Sequence, residues 1–136
     1  MTFVLDTNTI SFLMRGNPAV VRQLVKRARG EVVLPQAAVC EIEYGLSRLP
    51  RSARQRKLRE TFDGILAELG RAEWTDSVSR AFGEIKAGLE RRGSRLEDFD
   101  LAVAAHALAV RATLVTSDTS DMERIPGLKL ENWLDD

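Results

Sequence analysis

The sequence predicts an α/β fold: a short parallel β-sheet flanked by helices on both faces, in a single domain over residues 1–136. Three observations predict it. Short apolar runs, Phe3-Val4-Leu5, Val32-Val33-Leu34 and Thr113-Leu114-Val115-Thr116, are separated by longer segments with apolar residues at helical spacing. Those runs do not alternate with polar residues, as strands covered on both faces do not. One segment, residues 97–110, reads as a helix with no polar face, and such a helix is buried.

The elements follow in order. The first strand stops at Asp6, and Asp6-Thr7-Asn8 supplies helix N-cap chemistry before Ile10, Phe12, Leu13 and Met14. Gly16 ends that helix. Asn17-Pro18 starts a second one, with Asn as cap and Pro in the first turn, that carries Val20, Val21, Leu24 and Val25 and stops near Gly30. The second strand closes at Pro35. Residues 37–49 read as a helix ended by Pro50, residues 51–69 as a long charged helix, and residues 75–92 as another broken by Gly93-Ser94. After the buried helix and the third strand, Leu128-Lys129-Leu130 is a fourth strand.

Composition narrows the class. With 44% hydrophobic and 29% charged residues the chain is an ordinary globular one, long enough for a core without cross-links. One cysteine, Cys40, excludes a disulfide framework and favours a cytoplasmic setting; no apolar run has membrane-spanning length, and no membrane association is expected. Twenty basic residues balance twenty acidic ones, so global charge does not recruit a polyelectrolyte. The distribution is uneven: Arg48, Arg51, Arg54, Arg56, Lys57 and Arg59 follow one another with no acid between them.

In a parallel sheet, functional groups collect beyond the carboxyl ends of the strands. Asp6 and Asp118 follow two strands and open onto the same edge. Asp100 lies in the first turn of the buried helix, and Glu41 on the helix after the second strand. Each acid alone has a plainer role: a cap for Asp6, complementing a helix dipole for Asp100, a loop position for Asp118 and Asp121. Glu41 and Glu43 flank the apolar face of their helix on opposite sides, and periodicity does not choose between them. Four acids in one small site repel, unless protons or a hard dication such as Mg²⁺ or Mn²⁺ relieve them. His106, the one histidine, reads as a hydrogen-bonded core or half-buried residue rather than a ligand, and Cys40 as a small buried apolar residue. There is no phosphate-binding glycine loop and no nucleophile elbow. An Asp-x-Asp phosphatase pattern is also missing, since Asp6-Thr7-Asn8 lacks the second Asp.

The motifs in order are Phe3-Val4-Leu5-Asp6-Thr7-Asn8, Glu41-Ile42-Glu43-Tyr44-Gly45, Phe99-Asp100-Leu101-Ala102 and Leu114-Val115-Thr116-Ser117-Asp118, then Glu123 to Leu128 and Glu131-Asn132-Trp133. Together they resemble the PIN-domain ribonucleases, and within them the VapC toxins of bacterial toxin–antitoxin pairs. The resemblance implies a PIN-like fold and an acidic pocket holding Mg²⁺ or Mn²⁺. It implies metal-dependent endonucleolytic hydrolysis of RNA, often a transfer RNA. It further implies neutralisation by a VapB-type antitoxin, operator DNA reached through that antitoxin, and a homodimer. By motif, Asp6, Glu41 and Asp100 match the family's acids as catalytic and metal-binding residues, with Glu43 as alternate. Asp118 matches the fourth acid, with Asp121 as alternate. Thr7 and Asn8 match the polar residues that orient ligands. Arg51, Arg54 and Arg56 are then candidates for gripping the RNA backbone, against the plainer reading of a solvated helix face. The alternative function is a non-catalytic regulatory subunit that binds an antitoxin and supports its hold on DNA.

Overall fold

The computed structural model describes residues 1–135. Five parallel strands, β1 (Phe3–Leu5), β2 (Val32–Pro35), β3 (Arg71–Ala72), β4 (Thr113–Val115) and β5 (Lys129–Glu131), form one sheet in the order β3-β2-β1-β4-β5. Seven helices connect them: α1 (Thr7–Met14), α2 (Pro18–Val25), α3 (Gln36–Arg48), α4 (Ala53–Leu69), α5 (Asp76–Arg91), α6 (Asp98–Ala109) and α7 (Thr119–Met122). The expected parallel α/β sheet is present.

Every residue of β1 and β4 is buried. Successive strand residues point to opposite faces, so both faces of the central strands are covered. α6 packs on β1 and β4, and α5 covers α6. That placement explains why α6 needs no polar face: residues 101–107 are all buried.

Two elements were not expected. β3 is a two-residue strand of Arg and Ala that pairs Leu34 with Arg71 and Pro35 with Ala72. It follows Gly70, whose φ of 77° turns the chain out of α4, and that backbone region suits glycine. α7 is one turn in the segment read as loop. Neither is long enough for a period. The helix starts and ends also move. α4 starts at Ala53 because Ser52 caps it, accepting from the Gln55 amide at 3.1 Å. α2 ends at Val25 and does not run on to Gly30; the chain leaves at Lys26, and Arg27 lies over the rings of Phe3 and Trp133 at 4.5 and 5.5 Å.

Two side chains depart from expectation. His106 is buried as expected (1% exposed), but neither ring nitrogen has a hydrogen-bond partner. Its neighbour is the Trp74 ring, edge-on at 6.3 Å, and burial holds the imidazole pKa below its ordinary value. Cys40 is exposed, not buried. The buried stripe of α3 runs through Ala38, Val39, Ile42 and Leu46, and Cys40 falls outside it, in an apolar groove with Trp74, Phe82 and Phe99. Cys40 is therefore expected to react with a thiol reagent such as dithionitrobenzoate in the native protein, at a rate little changed by denaturant. Protection lifted only by unfolding contradicts this placement.

Candidate active site

The chain order β3-β2-β1-β4-β5 reverses direction at β1. β2 lies on one side of it and β4 on the other. A crevice opens between the carboxyl ends of strands at such a reversal. Asp6 ends β1, and the chain leaving β4 leads through Thr116 and Ser117 to Asp118. The two carboxylates thus flank the crevice.

Local hydrogen bonds hold this edge together. The Asp6 amide donates to the Val115 carbonyl at 3.1 Å. The Asp6 carboxylate caps α1, accepting from the Thr9 amide at 2.8 Å. The Thr9 hydroxyl donates to the Val115 carbonyl at 3.1 Å, tying α1 to the end of β4. Asp6 is therefore a cap, and it is also buried (8% exposed) at the crevice. The capping role and the site role coexist. Across the crevice, the Thr116 hydroxyl accepts from the Asp118 amide at 2.9 Å. Thr9 and Thr116 were not singled out from sequence, because a buried threonine beside a strand end has no signature of its own.

Glu41 reaches the site from α3. Its carboxylate accepts a 2.6 Å hydrogen bond from the Thr7 hydroxyl. Glu43 does not reach it. It forms a two-pronged pair with Arg59 of α4, at 2.6 and 3.0 Å, and that hydrogen bond holds its carboxyl below the ordinary range. The structure thus separates the two acids that periodicity left equivalent. Asn8 is exposed.

Asp100 sits in the first turn of α6, where Glu97 caps the helix by accepting from the amides of Phe99 and Asp100 at 3.1 and 3.3 Å. Its carboxyl pKa is pushed up to about 6. Burial is the main cause, followed by the negative charges of Glu97, Glu41, Asp6 and Asp118. Asp6, Glu41 and Asp118 are thus all near enough to act on the Asp100 charge. The Asp118 carboxyl is also raised, by burial first and then by the adjacent Asp121 and by Asp6. Asp121 is exposed and ion-paired with Arg124 at 3.4 Å, and its charge is not among those acting on Asp100.

The donor set is all oxygen, and Asp100, raised by burial and by the neighbouring charges, is inclined to keep its proton. Among the described residues, no three His, Cys, Asp or Glu side chains are gathered closely enough to chelate an ion directly. An arrangement of this kind suits a hard cation that takes one or two carboxylates and fills its shell with water, as Mg²⁺ does. It does not suit zinc, because the one histidine is buried under Trp74 and the one cysteine lies in another groove.

Arg51, Arg54 and Arg56 are exposed at the start of α4. Arg54 alone of the three lines a groove that also touches Thr7 and Glu41.

Comparisons with known proteins bear on this site. The PIN domain model matches residues 3–128. Ribonuclease VapC2 of Rickettsia felis is 30% identical, over 98% of each chain. The tRNA(fMet)-specific endonuclease VapC of Shigella flexneri is 28% identical, again over 98% of each. Among solved structures, VapBC2 of Rickettsia felis bound to a DNA fragment from its promoter superposes with a TM-score of 0.87 at 28% identity, covering 98% of this chain and 99% of that one. The DNA-bound VapBC of Salmonella typhimurium gives 0.87 at 26% identity, covering 98% of both. The sheet order, the acids at its reversal point and these end-to-end matches agree: the chain belongs to the PIN-domain family, among its VapC ribonucleases.

Proposed function

We propose that this chain is the toxin of a toxin–antitoxin pair, a Mg²⁺- or Mn²⁺-dependent endoribonuclease whose active site is the crevice of Asp6, Glu41, Asp100 and Asp118. The observation that carries the reading is geometric: at the reversal point of the sheet Asp6 is fixed by the Thr9 amide and Glu41 by the Thr7 hydroxyl, and the Asp100 carboxyl is raised by burial and by the charges of Glu97, Glu41, Asp6 and Asp118. A scaffold has no use for four mutually repelling acids at a sheet edge, which weighs against a purely regulatory subunit.

Asp6, Glu41, Asp100 and Asp118 would hold the cation, directly or through water. When bound, a divalent cation polarises the phosphoryl oxygen, lowers the pKa of a water nucleophile and orients the leaving group. The chain's own residues set the geometry. Thr7 fixes the Glu41 carboxylate by hydrogen bonding, and the Asp6 cap bond fixes the carboxylate at the end of β1. Both arrangements are built on helices and a central strand rather than on loose loops.

The residues also argue for the path of hydrolysis. Cleavage through the RNA 2′-hydroxyl is commonly driven by an imidazole base, and His106, the one histidine, is buried and turned from solvent. Attack by water at phosphorus, with the P–O3′ bond breaking and the 3′-oxygen leaving as a hydroxyl, gives 5′-phosphate and 3′-hydroxyl ends. The substrate is RNA, with transfer RNA favoured because the Shigella relative is named for tRNA(fMet). The proposed partners are a VapB-type antitoxin, operator DNA through that antitoxin, and a second copy of the chain; the Rickettsia and Salmonella relatives are both VapBC complexes bound to DNA. Among the described residues no helix is long and apolar enough to cross a membrane; the proposed setting is the cytoplasm.

The test is incubation of the antitoxin-free chain with total RNA in Mg²⁺, Mn²⁺ or chelator, with sequencing of the new ends. Discrete cuts bearing 5′-phosphates, present in metal and absent in chelator, are expected. Cuts that persist in chelator, or end in cyclic phosphates, contradict the mechanism.

A paired substitution separates the two α3 acids. Glu41→Gln is expected to slow cleavage by at least about tenfold, since it removes a charged donor from the site. Glu43→Gln is expected to leave cleavage near wild type and to cost less than about 1 kcal/mol, as half-exposed ion pairs do. Equal losses of activity contradict the assignment.

A further inference from the structure

A groove of about 440 Å³ opens beside Thr7 and Glu41, against the crevice. That is a small-ligand volume, within the roughly 300–1,000 Å³ of such sites. Part of its lining is apolar, including Ile42 of α3 and Leu58 of α4, and Arg15 and Arg54 complete it. Both arginines are exposed. Neither has an acidic partner among the described residues: the Arg15 guanidinium lies over the Phe12 ring at 5.1 Å and donates to the Ser11 carbonyl at 3.3 Å.

The groove therefore joins an apolar surface to two unneutralised cations, with Glu41 of the acidic crevice in its lining. The acids repel a polyanion, so a polyanionic substrate needs its attractive contacts outside them. A single-stranded nucleic acid presents flat apolar bases and a negative charge at every step, and proteins bind it through that combination. Guanidinium groups suit its phosphates through forked hydrogen bonds.

We propose that this groove seats the base of one unpaired nucleotide flanking the scissile phosphate, with Arg54 and Arg15 on the neighbouring phosphates, and that it sets the nucleotide preference of cleavage. The proposal rests on the ribonuclease reading and names a specificity subsite within it. Arg54 and Arg15 contribute to binding, Leu58 to the shape that selects the base.

The experiment uses a random-sequence single-stranded RNA pool cut in Mn²⁺, with sequenced ends, for wild type, Arg54→Ala, Arg54→Lys and Leu58→Trp. Thermal melts establish that each variant is folded. Wild type is expected to prefer particular bases at one position beside the cut. Leu58→Trp fills the groove and is expected to change that preference at that position alone. Arg54→Ala is expected to raise KM about tenfold with kcat little changed, as loss of a charged contact outside the reacting atoms does. Its salt slope for RNA binding is expected to fall by about 0.7, one phosphate contact on a single strand. Arg54→Lys restores the salt slope. Wild-type cutting with no base preference, or variants with unchanged preference, KM and salt slope, overturns the groove while leaving the nuclease standing, and assigns the surface to a peptide instead. A wild-type chain that cuts no RNA contradicts the underlying reading itself.

Discussion

Asp6→Asn is expected to reduce RNA cleavage by at least about a hundredfold while the chain stays folded, a loss of the size expected when one charged donor leaves a metal-assisted site. The substitution is chosen because Asp6 has two roles. Its carboxylate caps α1 through the Thr9 amide, and it presents charge to the crevice. An asparagine amide oxygen still accepts from Thr9, so the cap survives and only the charge is lost. Asp6→Ala removes both and is expected to cost about 1 kcal/mol of stability besides. Single-turnover cleavage read beside thermal melting separates the roles. Full activity in a folded Asp6→Asn chain contradicts the site.

The metal-free chain is expected to lose stability as pH rises from about 4 to above 6. The Asp100 carboxyl titrates near 6 in the folded state, above the ordinary aspartate value of about 3.9. Between those values the folded chain holds a proton that the unfolded chain has lost, so raising the pH favours unfolding. The stabilising contribution is complete below about 4 and gone above about 6. Asp100 is half-buried, so after solvent screening the change is on the order of 1–2 kcal/mol.

His106 works in the opposite sense. Its lowered pKa keeps the folded ring neutral, so its contribution is lost as pH falls below the ordinary histidine range. Asp118, raised like Asp100, adds to the Asp100 trend. Comparing wild type with Asp100→Asn isolates Asp100, because His106 and Asp118 remain in both. The variant is expected to be more stable than wild type at pH 8 in chelator and similar to it at pH 4. Mn²⁺ is expected to raise the wild-type melting temperature and to do little for the variant. Parallel melting curves across the whole range contradict a shared acidic site.

Much of this was legible in the residues because the fold depends on long-range simple patterns. β1, β2 and β4 are apolar at successive positions, and α6 has no polar face, so a doubly covered sheet follows from pattern alone. The carboxyl-edge rule then points at Asp6 and Asp118. What pattern could not supply was anything decided by packing. Glu41 and Glu43 lie symmetrically about one apolar stripe; only the arrival of Arg59 on α4 takes Glu43 out of the crevice. Cys40 is a small residue one step off a buried stripe, and composition alone made it look internal. β3 and α7 are too short to show a period. Asn8 matched by motif yet stands exposed, while Thr9, one residue on, makes the bond that ties α1 to β4.

Titration of the metal-free chain with Mn²⁺, followed by the electron paramagnetic resonance of the free ion, tests most directly whether the crevice carboxylates form one metal site. Wild type and Glu43→Gln are expected to bind with equal, saturable affinity, and Asp100→Asn at least about tenfold more weakly. Equal binding by Asp100→Asn, or no saturable binding by wild type, contradicts it.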